Sequence, residues 1–244
     1  MKLFIYPLLI LSFLKINAQT EKNYIIKTNL GYKYNHDDKL DLSTNPSSFD
    51  YGKKTNDLKS SLTVGRKLNN KFYYGVGLSY NLIKTELNPE SDVPASSFNP
   101  ASAVITMVSY YNEINSNHII SPLIYFQYFM NLNERFSLTI DLVTKYDFSV
   151  TKGENTLYLP DIYTYSYYAG ATYSSEVKKQ FFNIGIFPSL RVNIYKNFGM
   201  DLTIGYANYK IKTNDSRLDL NKKSKEFDID FKPENWNIGF YLEI

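Results

Sequence analysis

Few side chains in this sequence are of the types that carry out enzymatic chemistry. The chain has two histidines, His36 and His118, and no cysteine. A hydrolase would need an imidazole within hydrogen-bond reach of an acid and a nucleophile. The two histidines fall at the ends of two separate predicted strands, so a shared site would require loops to fold between them. We expect no catalytic site, with a lipase or protease at the rim of the fold as the alternative.

Two groups of aspartates are candidates for binding Ca²⁺. Asp37, Asp38 and Asp41 form the first group, and Asp215 and Asp219 form the second. Neither group has the ligand spacing of a dedicated calcium loop. The absence of cysteine excludes thiolate metal sites and a disulfide framework. We therefore expect these aspartates to be solvated loop residues, and we expect neither a metal nor a cofactor.

A cluster of tyrosines is suited to binding rather than to catalysis. Tyrosine offers a large, rigid contact area with a polar tip, which suits the binding of proteins or glycans. The alternative is that these side chains extend two strands beyond a membrane and mark its interface. The cluster lies within residues 151–178 and consists of Tyr158, Tyr163, Tyr165, Tyr167, Tyr168 and Tyr173.

The elements that must position these residues alternate between apolar and polar side chains. Phe136 to Val150 shows the alternation most sharply, and the last ten residues, Asn235 to Ile244, repeat it. Successive side chains of a strand point to opposite faces, so a period of two predicts β-strands. After residue 18 the chain has no apolar run of about 20 residues, which excludes transmembrane helices.

Eight such strands account for the sequence. They are predicted at residues 24–34, 58–68, 72–83, 118–132, 136–150, 182–194, 198–207 and 235–244. Tight turns near residues 69, 133 and 196 alternate with long polar loops over 35–57, 84–117, 151–178 and 213–234. All tight turns then lie at one end. We predict an all-β fold, an eight-stranded antiparallel up-and-down transmembrane β-barrel with short periplasmic turns and long extracellular loops.

Two details of this prediction concern irregular segments. Val104 to Tyr111, within the second long loop, is apolar enough for a short strand or for a helix lying on the rim. Pro122 and Pro188 fall inside predicted strands, where proline removes a ladder hydrogen bond, and we expect bulges or bends at both.

Charged residues occur on the polar face of the predicted strands and should point into the barrel. An eight-stranded barrel encloses only enough space for side chains, so we expect them to neutralise one another rather than to line a pathway. Arg191 and Asp201 share a face across the turn at 196–197 and should pair; Lys27 and Glu243 should meet where the first and last strands close. The predicted interior charges are Lys27, Asp141, Lys145, Asp147, Arg191, Asp201 and Glu243.

The N-terminal residues have the composition of an export signal. Lys2 precedes an apolar run from Leu3 to Leu14, and Ile16-Asn17-Ala18 is a cleavage site before Gln19. We expect a signal peptide over residues 1–18 and one barrel domain over residues 19–244. Removing the peptide also removes two lysines, which leaves 25 basic against 24 acidic residues and gives no support for a nucleic-acid partner.

Short segments of the chain resemble a known family. Ile120-Ser121-Pro122-Leu123-Ile124-Tyr125, Phe187-Pro188-Ser189-Leu190 and the Asn-Ala-Gln junction at residues 17 to 19 are similar to outer-membrane β-barrel proteins of the porin and PorT-like type. The resemblance implies a barrel in the outer membrane and a link to protein secretion and gliding. It supplies no catalytic motif to carry over.

The expected function is therefore non-enzymatic. We expect the barrel to sit in outer-membrane lipid and to anchor surface loops that bind a ligand or support an envelope or secretion complex. The alternatives are a narrow porin or small-solute channel, the rim enzyme, and a secreted lipocalin-like carrier with its apolar face inside. Alternation alone does not say which face is outside.

Overall fold

The computed structural model describes residues 23–40, 51–89, 97–99, 104–106, 110–161, 166–216 and 224–244. The predicted signal peptide lies outside these residues, as do Asp41, Tyr163, Tyr165 and Asp219. Within the described ranges no helix is long and apolar enough to cross a membrane.

Twelve strands and one 3₁₀ helix make up the described part of the chain. The 3₁₀ helix is Pro233–Asn235. The strands are β1 (Tyr24–Leu40), β2 (Tyr51–Asn69), β3 (Phe72–Pro89), β4 (Ser97–Asn99), β5 (Val104–Thr106), β6 (Tyr110–Asn131), β7 (Phe136–Asp161), β8 (Ser166–Tyr195), β9 (Phe198–Thr203), β10 (Tyr206–Asp215), β11 (Lys225–Asp230) and β12 (Asn237–Glu243).

Ten of these strands form one antiparallel sheet, and eight of them, β1, β2, β3, β6, β7, β8, β9 and β12, close it into a ring. β1, β2, β3, β6, β7 and β8 pair in succession; β9 and β10 then share the next position, and β11 and β12 the one after. β12 pairs with β1 and closes the ring. The predicted eight-stranded antiparallel barrel is confirmed. β4 and β5 form a separate small sheet, so the strand alternative is correct for Val104–Thr106.

The register defines the stagger of the barrel. From Leu30, directly opposed residues lead through Ser60, Tyr80, Ile120 and Phe148 to Gln180 of β8. In the other direction they lead through Ile238 and Leu202 to Leu190, also on β8. The two end points are ten residues apart, which is the shear of the ring. A closed barrel with such a stagger has strands tilted by about 40° to its axis.

The apolar face of the strands points outward. Val76 and Leu78 of β3 are 60% and 54% exposed, and Ile124, Leu142 and Ile186 are exposed on other strands. The buried side chains are mostly polar, among them Thr63, Gln127 and Asn183. The lipocalin-like alternative, which needs an apolar interior, is therefore wrong for this chain. The outward side chains form an apolar band around the barrel.

Most strands are longer than the alternation predicts. β2 begins at Tyr51, inside the first predicted loop, and β6 begins at Tyr110, inside the second. β7 and β8 take up most of the third, and β11 with the first two residues of the 3₁₀ helix lies within the fourth. The tight turns are confirmed, at residues 70–71, 132–135 and 196–197. These turns define the turn end of the barrel, and the opposite end is the loop end.

A bulge interrupts the seventh strand position between β9 and β10. Thr203 lies opposite Ser189 and Ala207 lies opposite Ile186, so the bulged strand has one extra residue. Gly205 has φ +144°, which other residues rarely adopt. The extra residue reverses the faces that follow. Tyr206, which the alternation assigns to the outer face, therefore lines the interior cavity, and that assignment is wrong.

The two strand prolines are accommodated differently. Pro188 lies beside the bulge, and its carbonyl accepts a hydrogen bond from the Ile204 amide at 3.1 Å. Pro122 lies opposite Leu78 of β3 without any shift of register. On the β7 side, Ile120 pairs with Phe148 and the next paired residue is Leu123, opposite Lys145 in the same register. A bulge is confirmed beside Pro188, on the facing strand. At Pro122 the register excludes a bulge, and a bend there stays a prediction.

Candidate functional site

Arg191 is the centre of a polar plug near the turn end. The turn at 196–197 sets Arg191 of β8 directly opposite Asp201 of β9. Arg191 is 0% exposed, and its Nε and Nη2 donate to the two carboxylate oxygens of Asp201 at 2.7 and 2.9 Å. Such a bidentate pair is the strongest form of arginine–carboxylate contact. The predicted pairing of Arg191 with Asp201 is present.

Other side chains surround the same guanidinium. Nη2 also donates to Oε1 of Gln127 at 3.3 Å, and Nη1 lies 4.0 Å from Oε1 of Glu243. Aromatic rings lie over the guanidinium, with its carbon 4.0 Å from the ring centre of Tyr241 and 5.0 Å from that of Phe129. These contacts join side chains of β6, β8, β9 and β12 across the interior, so the barrel is packed around Arg191.

Lys27 pairs across the barrel rather than with the closing strand. Its Nζ lies 2.6 Å from Oδ2 of Asp141, whose Oδ1 accepts a hydrogen bond from Gln127 at 2.6 Å. The residue opposite Lys27 on β12 is Tyr241, and Glu243 lies opposite Ile25. The predicted pair of Lys27 with Glu243 is wrong, because the observed register makes them diagonal rather than direct neighbours. Asp141 instead connects Lys27 to the plug.

A second polar cluster lies nearer the loop end, around Asp147 of β7. Its Oδ1 accepts a hydrogen bond from Ser121 at 2.6 Å, and its Oδ2 accepts one from Asn183 at 2.8 Å. Nζ of Lys145 lies 3.7 Å from Oδ1. Asp147 thus joins three neighbouring strands, β6, β7 and β8, from inside the barrel.

A polar cavity of about 430 Å³ occupies the interior on the loop side of the plug. Lys27, Asp141 and Asp147 lie in its wall together with residues of all the other strand positions. Sequence reasoning did not single out Asp57, Lys210, Glu226 or Asp228 as site residues, although all four line it. Lys210 follows the bulge between β9 and β10, which reverses the faces. Asp57, Glu226 and Asp228 fall in segments that the sequence assigns to loops, so alternation gives no signal for them.

The two histidines are on separate parts of the surface. His118 of β6 has its Nδ1 2.8 Å from the hydroxyl of Tyr80 on β3. His36 is exposed on β1, where its ring stacks on Tyr34. Since β2 and β3 lie between β1 and β6 in the ring, the structure does not bring the two histidines together.

Metal coordination has no candidate site in the described part of the chain. No group of three or more histidine, aspartate or glutamate side chains there has the arrangement to hold a metal ion. Asp215, one of the predicted aspartates, is buried and lies 3.4 Å from Nζ of Lys212. It therefore contributes to a salt bridge between residues of β10.

The tyrosine cluster belongs to a sheet that projects from the loop end. β7 and β8 stay paired from Phe136 opposite Val192 to Asp161 opposite Ser166. The segment from Thr151 to Asp161 extends about 35 Å along the strand at 3.3 Å per residue. β6 pairs with β7 up to Tyr110 opposite Tyr158, which adds a third strand. We call this β6–β7–β8 extension the projecting sheet.

A bulge in β8 determines which tyrosines share a face. Tyr173 lies opposite Asn155 and Tyr168 lies opposite Leu159, with a register shift between them. Because of this extra residue, Tyr168 and Tyr173 lie on one face, 54% and 60% exposed. Tyr158 lies on the other face. Tyr167 is also within β8, whereas Tyr163 and Tyr165 fall outside the described residues.

Several solved structures resemble this chain at low sequence identity. The attachment invasion locus protein Ail of Yersinia pestis, in complex with the heparin analogue sucrose octasulfate, is 14% identical with a TM-score of 0.33, covering 91% of this chain and 98% of Ail. Neisserial surface protein A is 8% identical with a TM-score of 0.34, covering 92% and 98%. At such TM-scores the fold assignment depends on the strand pairing of this chain itself.

No protein-family model matches the chain, and no curated protein matches it. The resemblance to porin-type and PorT-like barrels therefore stays a prediction.

Proposed function

We propose that this chain is an outer-membrane β-barrel that carries the projecting sheet on the outside of the cell, where the sheet binds a surface ligand or supports an envelope or secretion complex. The observation that carries the proposal is the combination of a closed ring, an apolar band around it and a paired sheet continuing beyond the band. Lipid is the solvent that favours an apolar exterior around a polar interior.

The apolar band supports the membrane part of the proposal. Large apolar side chains are exposed on all eight strand positions, including Leu30, Leu62 and Ile238. In water, a contiguous apolar surface of this size would promote association. In a bilayer it is solvated by acyl chains, and where the ring is closed its strand pairing satisfies the backbone hydrogen bonds that lipid cannot.

The projecting sheet supports the binding part of the proposal. Backbone pairing holds it in one conformation, so a partner would not have to order a loop on binding. Tyr168 and Tyr173 give one of its faces two exposed aromatic side chains. Rigid aromatic residues of this kind contribute much of the contact energy at many binding surfaces.

The solute-channel alternative has one observation in its favour, the cavity of about 430 Å³. The plug opposes it, because Arg191, Gln127 and Tyr241 are buried beneath that cavity. We propose the plugged anchor, since an unobstructed path is what a diffusion channel requires.

Cysteine labelling tests both the insertion and the orientation. The chain has no cysteine, so Thr172→Cys on the projecting sheet and Lys71→Cys in a tight turn each introduce one. With a membrane-impermeant maleimide, we expect Cys labelling at position 172 in intact cells, and at position 71 only after the outer membrane is permeabilised. Labelling of both positions in intact cells, or recovery of the protein without membrane, would reject the proposal.

A further inference from the structure

The ring of strands is incomplete at the loop end, between β1 and β11. β12 pairs with β1 only over Ile25–Leu30, and beyond Leu30 β1 pairs with β2 alone among the described strands. β11 pairs with β10 alone. The 3₁₀ helix Pro233–Asn235 lies between β11 and β12 in the chain. We call this gap between β1 and β11 the seam.

The seam lies within the apolar band. A shear of ten residues over eight strands is just over one residue of stagger per strand. After correction for this stagger, Leu30 lies at the same height along the barrel axis as Leu78, Ile124 and Ile186. All three are exposed apolar residues in the middle of the band. The seam begins beyond Leu30 and runs toward the loop end, so it lies in the half of the apolar band nearer that end. An open sheet edge at membrane depth occurs only beside protein or a water-filled cavity.

The interior cavity reaches this seam. Gly31, Asp57, Lys59 and Asn237 line both the large cavity and a second one of about 10 Å³ at the seam. The second cavity is large enough for about one water molecule. Nζ of Lys33 and Oε1 of Glu234, 3.4 Å apart and partly exposed, bridge β1 to the 3₁₀ helix there. Parting of this ion pair would connect the cavity sideways to the surroundings of the barrel.

Most of the cavity charges cancel in pairs. Lys27 pairs with Asp141, and Lys145 pairs with Asp147. Lys59 pairs with Asp57 at 3.1 Å. The remaining charges are Lys210 on β10 and Glu226 and Asp228 on β11. An occupant of the cavity would contact these three charges, which have no salt-bridge partner among the cavity residues.

These remaining charges present both signs on one wall. Lys210 and Glu226 are directly opposed in the register, but no carboxylate of the described residues lies within salt-bridge distance of Lys210, whose Nζ is 4.0 Å from the ring centre of Phe181. Asp228 accepts a hydrogen bond from the hydroxyl of Tyr206 at 2.8 Å. An occupant carrying one negative and one positive group would complement this wall.

We propose that the cavity binds the head group of a zwitterionic phospholipid, with its phosphate at Lys210 and its ammonium group at Glu226 and Asp228. The acyl chains leave through the seam, past Tyr32 and Trp236, into the lipid. A volume of about 430 Å³ lies in the range of small-molecule sites. The inference rests on the proposed insertion of the barrel in a membrane. Entry of the lipid requires the Lys33–Glu234 ion pair to part.

Lipid selectivity tests the head-group site. The barrel is reconstituted with equal amounts of phosphatidylethanolamine and phosphatidylglycerol, extracted in mild detergent and examined by native mass spectrometry. We expect one retained phosphatidylethanolamine per barrel, and about tenfold weaker retention in Lys210→Gln, the effect of losing one charge-assisted hydrogen bond. Glu226→Gln should lose the preference for phosphatidylethanolamine. The control is Lys178→Gln, whose ion pair with Glu176 lies outside the cavity. Equal retention of both lipids would overturn the proposal.

A disulfide across the seam tests the route. Lys33→Cys with Glu234→Cys, once oxidised, should slow exchange of the bound lipid for deuterated phosphatidylethanolamine, and reduction should restore the exchange. Tyr34→Cys with Asn56→Cys is the matched control, because these residues are directly opposed on strands that are already paired. Unchanged exchange in the oxidised seam variant would reject the lateral route.

Heated and unheated gel samples of each preparation distinguish failure of the head-group site from failure of the membrane barrel. A folded barrel that retains no lipid rejects the head-group site and leaves the proposed function standing. A protein that never gives the compact, heat-sensitive band rejects the membrane barrel itself, and the lipid site with it.

Discussion

Arg191 is fully buried in the barrel and carries a charge that its neighbours neutralise. Asp201 supplies the compensating charge, and Gln127, Tyr241 and Phe129 complete the surroundings. Burial of an ion pair costs desolvation energy, so the pair itself adds little net stability. Loss of one partner is different, because the other charge is then left buried without compensation.

We predict that Arg191→Met lowers the free energy of unfolding by about 3–5 kcal/mol, the usual cost of an uncompensated buried charge. The double variant with Asp201→Asn should recover part of this loss, since it removes the second charge as well. Urea unfolding of the barrel in lipid vesicles measures both.

The control for this prediction is Lys59→Met. The Lys59–Asp57 ion pair is partly exposed, with Lys59 at 39%, and such pairs contribute about 0–1 kcal/mol. If Arg191→Met costs no more than Lys59→Met, the plug does not depend on the buried pair in the way the contacts indicate.

The interior pairs differ in how far the sequence predicts them. Arg191 and Asp201 flank a two-residue turn, which fixes their register locally, and their pairing could be predicted. Lys27 and Glu243 lie at opposite ends of the chain, so the stagger of the complete ring decides their register. Lys27 therefore pairs with Asp141, a partner that only the closed barrel brings near.

At the scale of the elements, strand position was more predictable than strand length. Inside the apolar band one face is apolar and points outward, whereas the other is polar and points into the barrel, which produces the period of two. Beyond the band the residues of β7 and β8 are mostly polar or aromatic, and the alternation fades although the backbone pairing continues. Residues 151–161 and 166–178 therefore have the composition of a loop and the structure of a paired sheet.

The bulges are the second feature that alternation misses. Each adds one residue and so reverses the faces of the strand after it. The glycine at position 205 is the local signal for the bulge between β9 and β10, where φ is +144°. A glycine within a strand pattern is too common to predict a bulge by itself, so the inward side of Tyr206 could be known only from the structure.

We predict that the projecting part of the β7–β8 hairpin is dispensable for folding. In the shortened chain, residues 152–176 are replaced by Asn-Gly, because Thr151 and Val177 are directly opposed and this dipeptide favours a two-residue hairpin turn. The interior contacts of Arg191, Asp141 and Asp147 lie below the removed segment, so they should be unaffected.

Gel mobility with and without heating, together with the urea midpoint in vesicles, measures the result. The shortened chain should keep the heat-sensitive compact band and a midpoint close to that of the full chain. Failure to form the compact band would mean that the projecting sheet belongs to the folding unit of the barrel.

At the scale of the whole molecule, the closed ring combines an apolar exterior with an interior that is packed at the plug and open above it. Eight strands leave an interior just wide enough for side chains to fill. The cavity of about 430 Å³ lies entirely among the residues on the loop side of Arg191. This arrangement supports the proposed anchor with a polar recess rather than a through-channel.

We predict that the folded protein gives no porin-sized conductance steps in planar lipid bilayers at neutral pH. The physical reason is the layer of buried side chains, Arg191, Gln127 and Tyr241, that lies in the interior below the cavity. The heat-sensitive gel band of the same preparation shows that the protein is folded. A lack of conductance then cannot be attributed to unfolded protein. Regular conductance steps from folded wild-type protein would contradict the plug.

Spin labels along β3, in protein reconstituted into lipid vesicles, test which face of the strands meets the lipid. Val76 and Leu78 face outward, whereas Ser79 and Asn81 line the cavity. Labels at residues 76 and 78 should collide with oxygen dissolved in the lipid, and labels at 79 and 81 with a water-soluble nickel complex or with neither. The reverse pattern, with labels at 76 and 78 shielded inside and those at 79 and 81 facing outward, would mean that the apolar face does not line the outside of a membrane barrel.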